Sequence, residues 1–312
     1  MPQSAIWVSH LDKSYGSVQA VQDLCMEVHH GEIFGLLGSN GAGKTTTIRM
    51  ILDLIKPDSG EIRVLGGPMR EATKRRIGYL PEERGLYRDM KALDALLFLA
   101  RLKGLRLGEA RSRAESLLHE VDLWDARDLK VEALSRGMQQ KLQFVVAAIH
   151  EPELIIVDEP FSGLDPVNTQ VIKRLVYRMR EQGTAIVMST HQMHQVEEMC
   201  QRILLINRGR TMLYGEVEEI RDRFSTNSVE VALQGNVQSV PGVEHVERRN
   251  GGYRMRLEAG TAPEDVLLSL VNMPDVRVQR FEQVQTSLEE IFVQIVGHQV
   301  ENGEYPADSG CP

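Results

Sequence analysis

Residues 38–46 read Gly38-Ser39-Asn40-Gly41-Ala42-Gly43-Lys44-Thr45-Thr46. An apolar, strand-like segment precedes this run at 33–37, and a helix-like segment follows it at 47–52. Glycines let successive backbone N–H groups curl around an anion, and the N-terminus of the following helix adds positive partial charge. Lys44 is placed to reach the β- and γ-phosphates and the Thr45 hydroxyl to ligate Mg²⁺. The run predicts a nucleoside triphosphate site; the alternative is a glycine turn without a ligand.

A second apolar run, 154–157, ends in two adjacent carboxylates, Asp158 and Glu159. An uninterrupted apolar run is typical of a strand that is buried on both faces of a parallel sheet. Ligands bind outside the carboxyl ends of such strands. We therefore expect Asp158 to hold Mg²⁺ through water and Glu159, as the catalytic carboxylate, to polarise the attacking water. The alternative is a solvated strand end.

Three further segments accompany these two. Ser135 and Gly137 lie in the run 133–141, Asp165 precedes a helix that begins near Pro166, and a buried-strand pattern at 186–190 ends in His191. With these segments in this order, the chain resembles the nucleotide-binding subunit of an ATP-binding-cassette (ABC) transporter over about residues 4–222. The resemblance implies an α/β, P-loop NTPase fold that hydrolyses ATP with Mg²⁺, with His191 as a catalytic switch residue.

The resemblance also assigns nucleotide contacts. An aromatic residue near the start of the family's chain stacks on adenine, and Tyr15 stands in that place. Ser135 and the Gly137 backbone are expected to meet the γ-phosphate held by a second copy, since a helix N-terminus offers donors and a dipole. A site divided in this way implies a homodimer or pairing with a related cassette. Asp165 is also expected to contact the nucleotide. The remaining expected nucleotide contacts are Gly38, Ser39, Asn40, Gly41, Ala42, Gly43, Lys44, Thr45 and Thr46.

The chain departs from the family pattern at three positions. Arg136 and Met138 replace a glycine and a glutamine in the usual Leu-Ser-Gly-Gly-Gln signature, and Glu82 stands where the family has glutamine. A carboxylate at 82 still ligates a metal, so we expect Glu82 to join Thr45 and Asp158 at the Mg²⁺ site, although an ionised carboxylate donates no hydrogen bond to water. The alternative for Glu82 is a solvated charge cluster. This combination resembles cassettes of sodium-extruding and antibiotic-resistance exporters.

Pattern and composition divide the chain into three parts. Alternating residues between Ile6 and Val28 predict an N-terminal antiparallel β subdomain, and helical spacing at about 88–150 predicts a helical insertion, both within an ATPase domain at 1–224. Short alternating segments and two helix signals predict a small α+β accessory domain at 225–298. The polar residues 299–312 are expected to be a disordered tail. The pair Ser287 and Glu290 predicts a capping box.

No apolar stretch approaches the ~18 residues that a membrane-spanning helix needs, and the N-terminus lacks a leader pattern. The sequence therefore predicts a cytoplasmic protein, peripheral on the inner face of the membrane, that serves a separate integral-membrane permease. The three cysteines are far apart and odd in number. They predict neither a disulfide nor a metal site besides Mg²⁺, with Cys25 and Cys200 packed as small apolar side chains.

Two other functions agree less well with the sequence than an exporter ATPase does. A soluble cassette acting in translation or DNA repair is disfavoured because the chain has one phosphate loop, and its net charge of −8 argues against nucleic acid as a partner. A small-molecule kinase is disfavoured because that function does not explain why Ser135, Asp165 and His191 occur together. The transported substrate is not legible from the sequence.

Overall fold

The computed structural model describes residues 4–302, apart from 84, 226, 236, 238, 250–251, 259 and 285, together with Cys311. It divides the chain into two compact units, Met1–Val217 with Glu304–Pro312, and Glu218–Gly303. Among the described residues, no helix is long and apolar enough to cross a bilayer. Most of the predicted tail lies outside the described residues, while 299–302 continue the last helix.

The first unit contains two sheets. The smaller is antiparallel, with the order β2-β1-β4, and the larger has the order β5-β6-β7-β3-β8-β9, parallel except for its last strand. These strands are β1 (Ser4–Tyr15), β2 (Val18–His29), β3 (Ile33–Leu37), β4 (Ser59–Val64), β5 (Ile77–Leu80), β6 (Leu154–Asp158), β7 (Ala185–Thr190), β8 (Arg202–Asn207) and β9 (Arg210–Glu216). The predicted N-terminal antiparallel subdomain and the α/β fold are thus present.

Burial explains why the parallel strands read as apolar runs. Every residue of β3, β6 and β7 is buried, so both faces of these strands are covered. One core cluster joins the two sheets and the helix after β3, with Ile6, Phe34 and Ile48 fully buried in it. The turn between β8 and β9 has positive φ at Arg208 and Gly209, as a two-residue hairpin requires.

Helices flank the sheets of this unit: α1 (Lys44–Ile51), α2 (Glu71–Lys74), α3 (Ala92–Leu102), α4 (Leu107–Glu120), α5 (Arg136–Ala148), α6 (Pro166–Glu181) and α7 (Met193–Met199). The helical insertion is formed by α3, α4 and α5. On α4 the buried residues are Ala110, Ala114, Leu117 and Leu118, the spacing of one helix face. This face of α4 therefore packs against α3 and α5.

The second unit begins with α8 (Val217–Arg223) and holds an antiparallel sheet of order β11-β12-β10-β13. Its elements are β10 (Ser228–Gln234), β11 (Val243–Arg249), β12 (Gly252–Leu257), α9 (Pro263–Val271), β13 (Arg277–Val284) and α10 (Leu288–Asn302). A separate core contains Val229, Met255 and Leu270. The Ser287 hydroxyl accepts from the Glu290 N–H at 3.2 Å and the Glu290 carboxylate from the Ser287 N–H at 3.3 Å, which confirms the capping box.

The prediction for the cysteines was wrong at one pair. Cys25, on β2, is joined to Cys311 by a disulfide across a sequence separation of 286 residues. Cys200 is a buried free cysteine, as predicted. The pairing was invisible in the sequence because nothing in the spacing of two residues so far apart encodes their proximity.

Candidate functional site

The glycine loop between β3 and α1 has a backbone that only glycine tolerates at two positions. Gly38 and Gly43 have φ of 151° and 116°. A Cβ at Gly38 would lie 2.3 Å from the Ile206 carbonyl oxygen, and one at Gly43 would lie 2.5 Å from the Ala20 carbonyl oxygen. The neighbouring strands thus hold the loop in one shape, with the N-terminus of α1 at its end.

Lys44 lies inside this loop. Its ammonium group donates to the carbonyl oxygens of Gly38 at 2.7 Å and Ser39 at 3.2 Å. Burial lowers the pKa of Lys44 from its ordinary value, and the negative charges of Glu159, Asp158 and Glu82 oppose that shift. A buried cation surrounded by carboxylates and by a loop of backbone donors suits the polyphosphate of a magnesium-bound nucleotide.

Strand register brings the other predicted residues to the same edge of the sheet. Leu37 pairs with Thr190, Asp158 with Ser189, and Leu80 with Val157. The residues that follow each strand, including Glu82, Glu159 and His191, therefore emerge along one row. This is the ligand edge of a parallel sheet.

The Asp158 carboxylate accepts a hydrogen bond from the Thr45 hydroxyl at 3.4 Å. Asp158 is only 3% exposed. Burial raises its pKa from the ordinary value, with the charge of Glu159 acting in the same direction and that of Lys44 in the opposite one. Carboxylate and hydroxyl oxygens are the donors that Mg²⁺ prefers, and a dication would relieve the cost of this buried charge. The donor set therefore fits the magnesium ion that the sequence predicted.

Glu159 is fixed by three donors. Its carboxylate accepts from the Thr190 hydroxyl at 3.0 Å, from the His191 N–H at 3.0 Å and from His191 Nδ1 at 2.7 Å. Its own N–H donates to the Ser189 carbonyl oxygen at 2.8 Å, and its φ is 50°, which is unfavourable for a residue other than glycine. The sequence analysis missed Thr190, whose position directly before His191 at a strand end was the available signal.

These residues surround a cavity of about 240 Å³. Its lining consists of Ala20, Ser39, Asn40, Gly41, Ala42, Gly43, Lys44, Thr45, Thr46, Glu82, Asp158 and Glu159. Glu82 thus reaches the site, and Ala20 is a wall residue that the sequence analysis did not identify. A larger cavity, about 430 Å³, lies beside Pro152 and Thr184 at the amino ends of β6 and β7 and contains none of the loop. Because the glycine loop lines the smaller cavity, that cavity is the candidate nucleotide site.

Six predicted site residues do not line the cavity: Tyr15, Gly38, Ser135, Gly137, Asp165 and His191. Ser135, Gly137 and Asp165 form a group of their own. Ser135 caps α5 by accepting from the Met138 N–H at 3.3 Å, and Asp165 caps α6 by accepting from the Asn168 N–H at 2.9 Å. A Cβ on Gly137 would lie 3.5 Å from the Asn168 side chain, so the starts of the two helices adjoin. Asn168, which connects them, was not anticipated. The glycine loop at 38–46 and the adjoining starts of α5 and α6 are thus two separate surfaces.

Tyr15 ends β1 with its side chain 49% exposed, and the Lys13 ammonium lies 5.7 Å from its ring centroid. The ring does not line the cavity. It lies in the same strand pair as Ala20, which does, because Tyr15 opposes Val18 at the start of β2. An exposed ring in this place is free to stack on a planar base.

Comparison with known proteins agrees with this geometry. The family model described as ABC transporter matches residues 21–162, and the one described as ATP-binding protein DrrA1-3-like, C-terminal domain, matches 215–296. The chain is 38% identical to an uncharacterized ABC transporter ATP-binding protein, YhaQ of Bacillus subtilis, over 93% of this chain and 98% of that protein. It is 29% identical to the daunorubicin/doxorubicin resistance ATP-binding protein DrrA of Streptomyces peucetius, over 95% of this chain and 94% of that one.

A solved structure described as an ATP binding subunit of an ABC transporter superposes with a TM-score of 0.66 at 32% identity, covering 71% of this chain and 93% of that chain. In this chain the glycine loop, the strand end at Asp158 and Glu159, and His191 lie at the same edge of the parallel sheet. This chain therefore belongs to the ATP-binding proteins of ABC transporters.

Proposed function

We propose that this chain is the ATP-hydrolysing subunit of an ABC-type membrane exporter, and that it dimerises on ATP to drive efflux through a separate permease. Proteins of this family bind ATP, typically with Mg²⁺, and generally pair with membrane permeases and dimerise. The single observation that supports hydrolysis best is the arrangement of Glu159, because it explains how one carboxylate is held ready for a water molecule.

An ionised carboxylate has about four acceptor positions. Thr190 and the two donors of His191 occupy three of them on Glu159. The remaining position is free to accept from a water molecule on the cavity side, since Glu159 lines the cavity. Glu159 would orient this water and draw off its proton as the water attacks the γ-phosphorus. His191 and Thr190 would position this carboxylate.

The other cavity residues bind the substrate. The backbone N–H groups of the loop and the Lys44 ammonium would hold the phosphates, with Tyr15 stacked on adenine. Thr45, Asp158 and Glu82 would hold Mg²⁺, which neutralises charge on the β- and γ-phosphate oxygens. Asp158 supports this role because its carboxylate is buried, and a dication nearby lowers the cost of that buried charge.

The proposed dimer follows from the separation between the glycine loop and the starts of α5 and α6. Ser135, Gly137 and Asp165 do not line the cavity of their own chain. They lie at the N-terminal ends of α5 and α6, where the helix dipoles carry positive partial charge. A second copy, or a related cassette, that laid this surface over the γ-phosphate would complete both sites. Residues 1–224 would then form the ATPase domain and 225–298 an accessory domain.

Export is supported by the match of residues 215–296 to the DrrA1-3-like domain and by the resistance protein similar to this chain. The permease would place the chain on the cytoplasmic face of the membrane. Affinity purification of the tagged chain from detergent-solubilised membranes should recover an integral-membrane protein. Recovery of ribosomes or of DNA-repair proteins instead would favour the soluble alternative.

Replacing Glu159 by glutamine tests the catalytic assignment. Glu159→Gln should lower the steady-state ATPase rate by roughly 10²–10⁴-fold, because the amide keeps the shape but loses the base, while ATP binding persists. Size-exclusion chromatography of the variant should show a dimer with ATP and Mg²⁺ that is absent without nucleotide. Glu153→Gln is the matched control, since Glu153 lies just before the other end of β6 and pairs with Arg76. A Glu159→Gln variant that hydrolyses ATP at the parent rate would remove Glu159 from this role.

A further inference from the structure

Three soft donor groups converge on the strand pair β1–β2, away from the nucleotide cavity. The Cys25 and Cys311 sulfurs and the His10 imidazole have ligand atoms within 4.8 Å of one another. All three residues belong to the first unit. The disulfide accounts for the two sulfurs but gives no role to the imidazole beside them. A third donor at this distance is the first indication of a metal site.

The backbone around this cluster departs from regular pairing. The register of β1 against β2 shifts between Val8 and Leu11, and His10 and Asp23, one on each strand, both have φ of 48°. Left-handed backbone is unfavourable for residues other than glycine, and such positions concentrate at functional sites. Here the His10 N–H donates to the Cys25 sulfur at 3.3 Å, and the Asp23 carboxylate pairs with the His10 ring.

One ring nitrogen of His10 is already paired with a carboxylate. Its Nδ1 lies 2.6 Å from the Asp23 carboxylate, and the Cys311 sulfur lies 3.6 Å from Nε2 and 3.8 Å from Nδ1. Because Nδ1 is paired with Asp23, Nε2 is the nitrogen that remains to bind a metal. A metal-bound histidine usually donates its other ring N–H to a carboxylate, which sets the tautomer and raises the basicity of the ligating nitrogen. The Asp23–His10 pair supplies this arrangement.

The nitrogen–sulfur distance also agrees with tetrahedral zinc. With Zn–S of about 2.3 Å and Zn–N of about 2.0–2.1 Å, two tetrahedral ligands lie about 3.5–3.6 Å apart. His10 Nε2 and the Cys311 sulfur are separated by 3.6 Å. The two sulfurs would need a separation of about 3.8 Å, so the disulfide has to be open when the metal binds.

We propose that Cys25, Cys311 and His10 form a Zn²⁺ site in the reduced protein, with Asp23 hydrogen-bonded to His10 and water as the fourth ligand. A thiol reductant opens the disulfide: two electrons and two protons give two cysteine thiols, and the reductant leaves as its own disulfide. Zn²⁺ then displaces the two thiol protons and binds the thiolates, so two protons are released for each metal bound. The ion would fasten the end of the chain to β1 and β2, an effect independent of ATP hydrolysis.

The test uses the full-length protein, reduced with a phosphine and freed of metal. Co²⁺ serves as an optical probe for tetrahedral thiolate coordination, and Zn²⁺ competing with a chromophoric chelator gives affinity and stoichiometry. The parent should bind about one Zn²⁺ per chain, and Zn²⁺ should displace the Co²⁺ spectrum. Asp23→Asn should weaken Zn²⁺ binding by about 10–100-fold, the range expected when a carboxylate partner of a ligand is lost.

Two ligand variants and one control complete the experiment. Cys311→Ser, near the chain end, should abolish the thiolate–Co²⁺ absorption while the protein remains folded by circular dichroism, and His10→Gln should reduce it and weaken Zn²⁺ binding. Cys200→Ala is the control, because Cys200 is buried and its burial raises the thiol pKa, so it should bind as the parent does. A reduced parent without the Co²⁺ spectrum, or a His10→Gln variant with parent affinity, overturns the proposal and leaves a plain cysteine pair.

Discussion

His150, which lies between α5 and β6, should make the stability of the first unit fall in mild acid. Its Nε2 lies 3.1 Å from the Ile77 carbonyl oxygen, and its Nδ1 is buried without a hydrogen-bond partner. Burial lowers the pKa of His150 to about 4, with the charges of Lys103 and Arg113 acting in the same direction. The folded protein therefore holds a neutral imidazole at pH values where the unfolded chain holds an imidazolium.

The sign and size of the effect follow from the two pKa values. The unfolded histidine titrates near 6.5 and the folded one near 4, so between these values the unfolded state binds more protons and acid destabilises the fold. The contribution is fully present above pH 6.5 and is lost as the pH falls toward 4. The free energy of unfolding should drop by about 1.4 kcal/mol at pH 5.5 and by about 2.5 kcal/mol at pH 4.5 from this residue alone.

Urea unfolding followed by tryptophan fluorescence measures this effect. Both tryptophans, Trp7 and Trp124, lie in the first unit, so the signal reports on the unit that contains His150. In His150→Gln the amide can still donate to Ile77, but it does not titrate. The parent should therefore lose about 2.5 kcal/mol more than the variant between pH 7.5 and pH 4.5.

His30→Gln is the control, because His30 is exposed, and its pH profile should match that of the parent. Parallel pH profiles for the parent and His150→Gln would show that the imidazole is hydrated in solution and would refute the argument.

Two further predictions concern the site and the second unit. Glu82→Gln should keep substantial ATPase activity but shift the half-maximal Mg²⁺ concentration upward by a few-fold, because one carboxylate leaves a hard-cation site; superimposable Mg²⁺ titrations for parent and variant would defeat the metal assignment. A chain ending at Asp222 should bind ATP as the parent does, because every residue that lines the cavity lies upstream of the cut. Loss of ATP binding in a truncated protein that keeps its circular dichroism spectrum would show that the boundary or the site is misplaced.

Local sequence was enough for the phosphate loop and for the buried strands. The glycines at 38 and 43 have the positive φ that their residue type permits, and the lysine and threonine after them lie at the start of α1. The apolar runs before Asp158 and His191 form strands of a parallel sheet. Both faces of these strands are covered, and a strand covered on both faces needs uninterrupted apolar residues. These features depend on residues within about one turn or one strand of one another, so a linear pattern contains them.

Only the tertiary structure decided which distant residues meet. Glu159 was predicted from its place at a strand end and His191 from the family resemblance, but the register of β6 against β7 brings Thr190 to Glu159 as a further donor. The fold likewise brings Cys311 to Cys25, a pairing between distant residues that was not predicted from the sequence. The period of a strand specifies which residues share a face, whereas the choice of neighbouring strand and its register is made by packing across the whole core. The sequence alone therefore determined the phosphate loop and the buried strands, and the fold determined the hydrogen-bond partners of Glu159 and the pairing of Cys25 with Cys311.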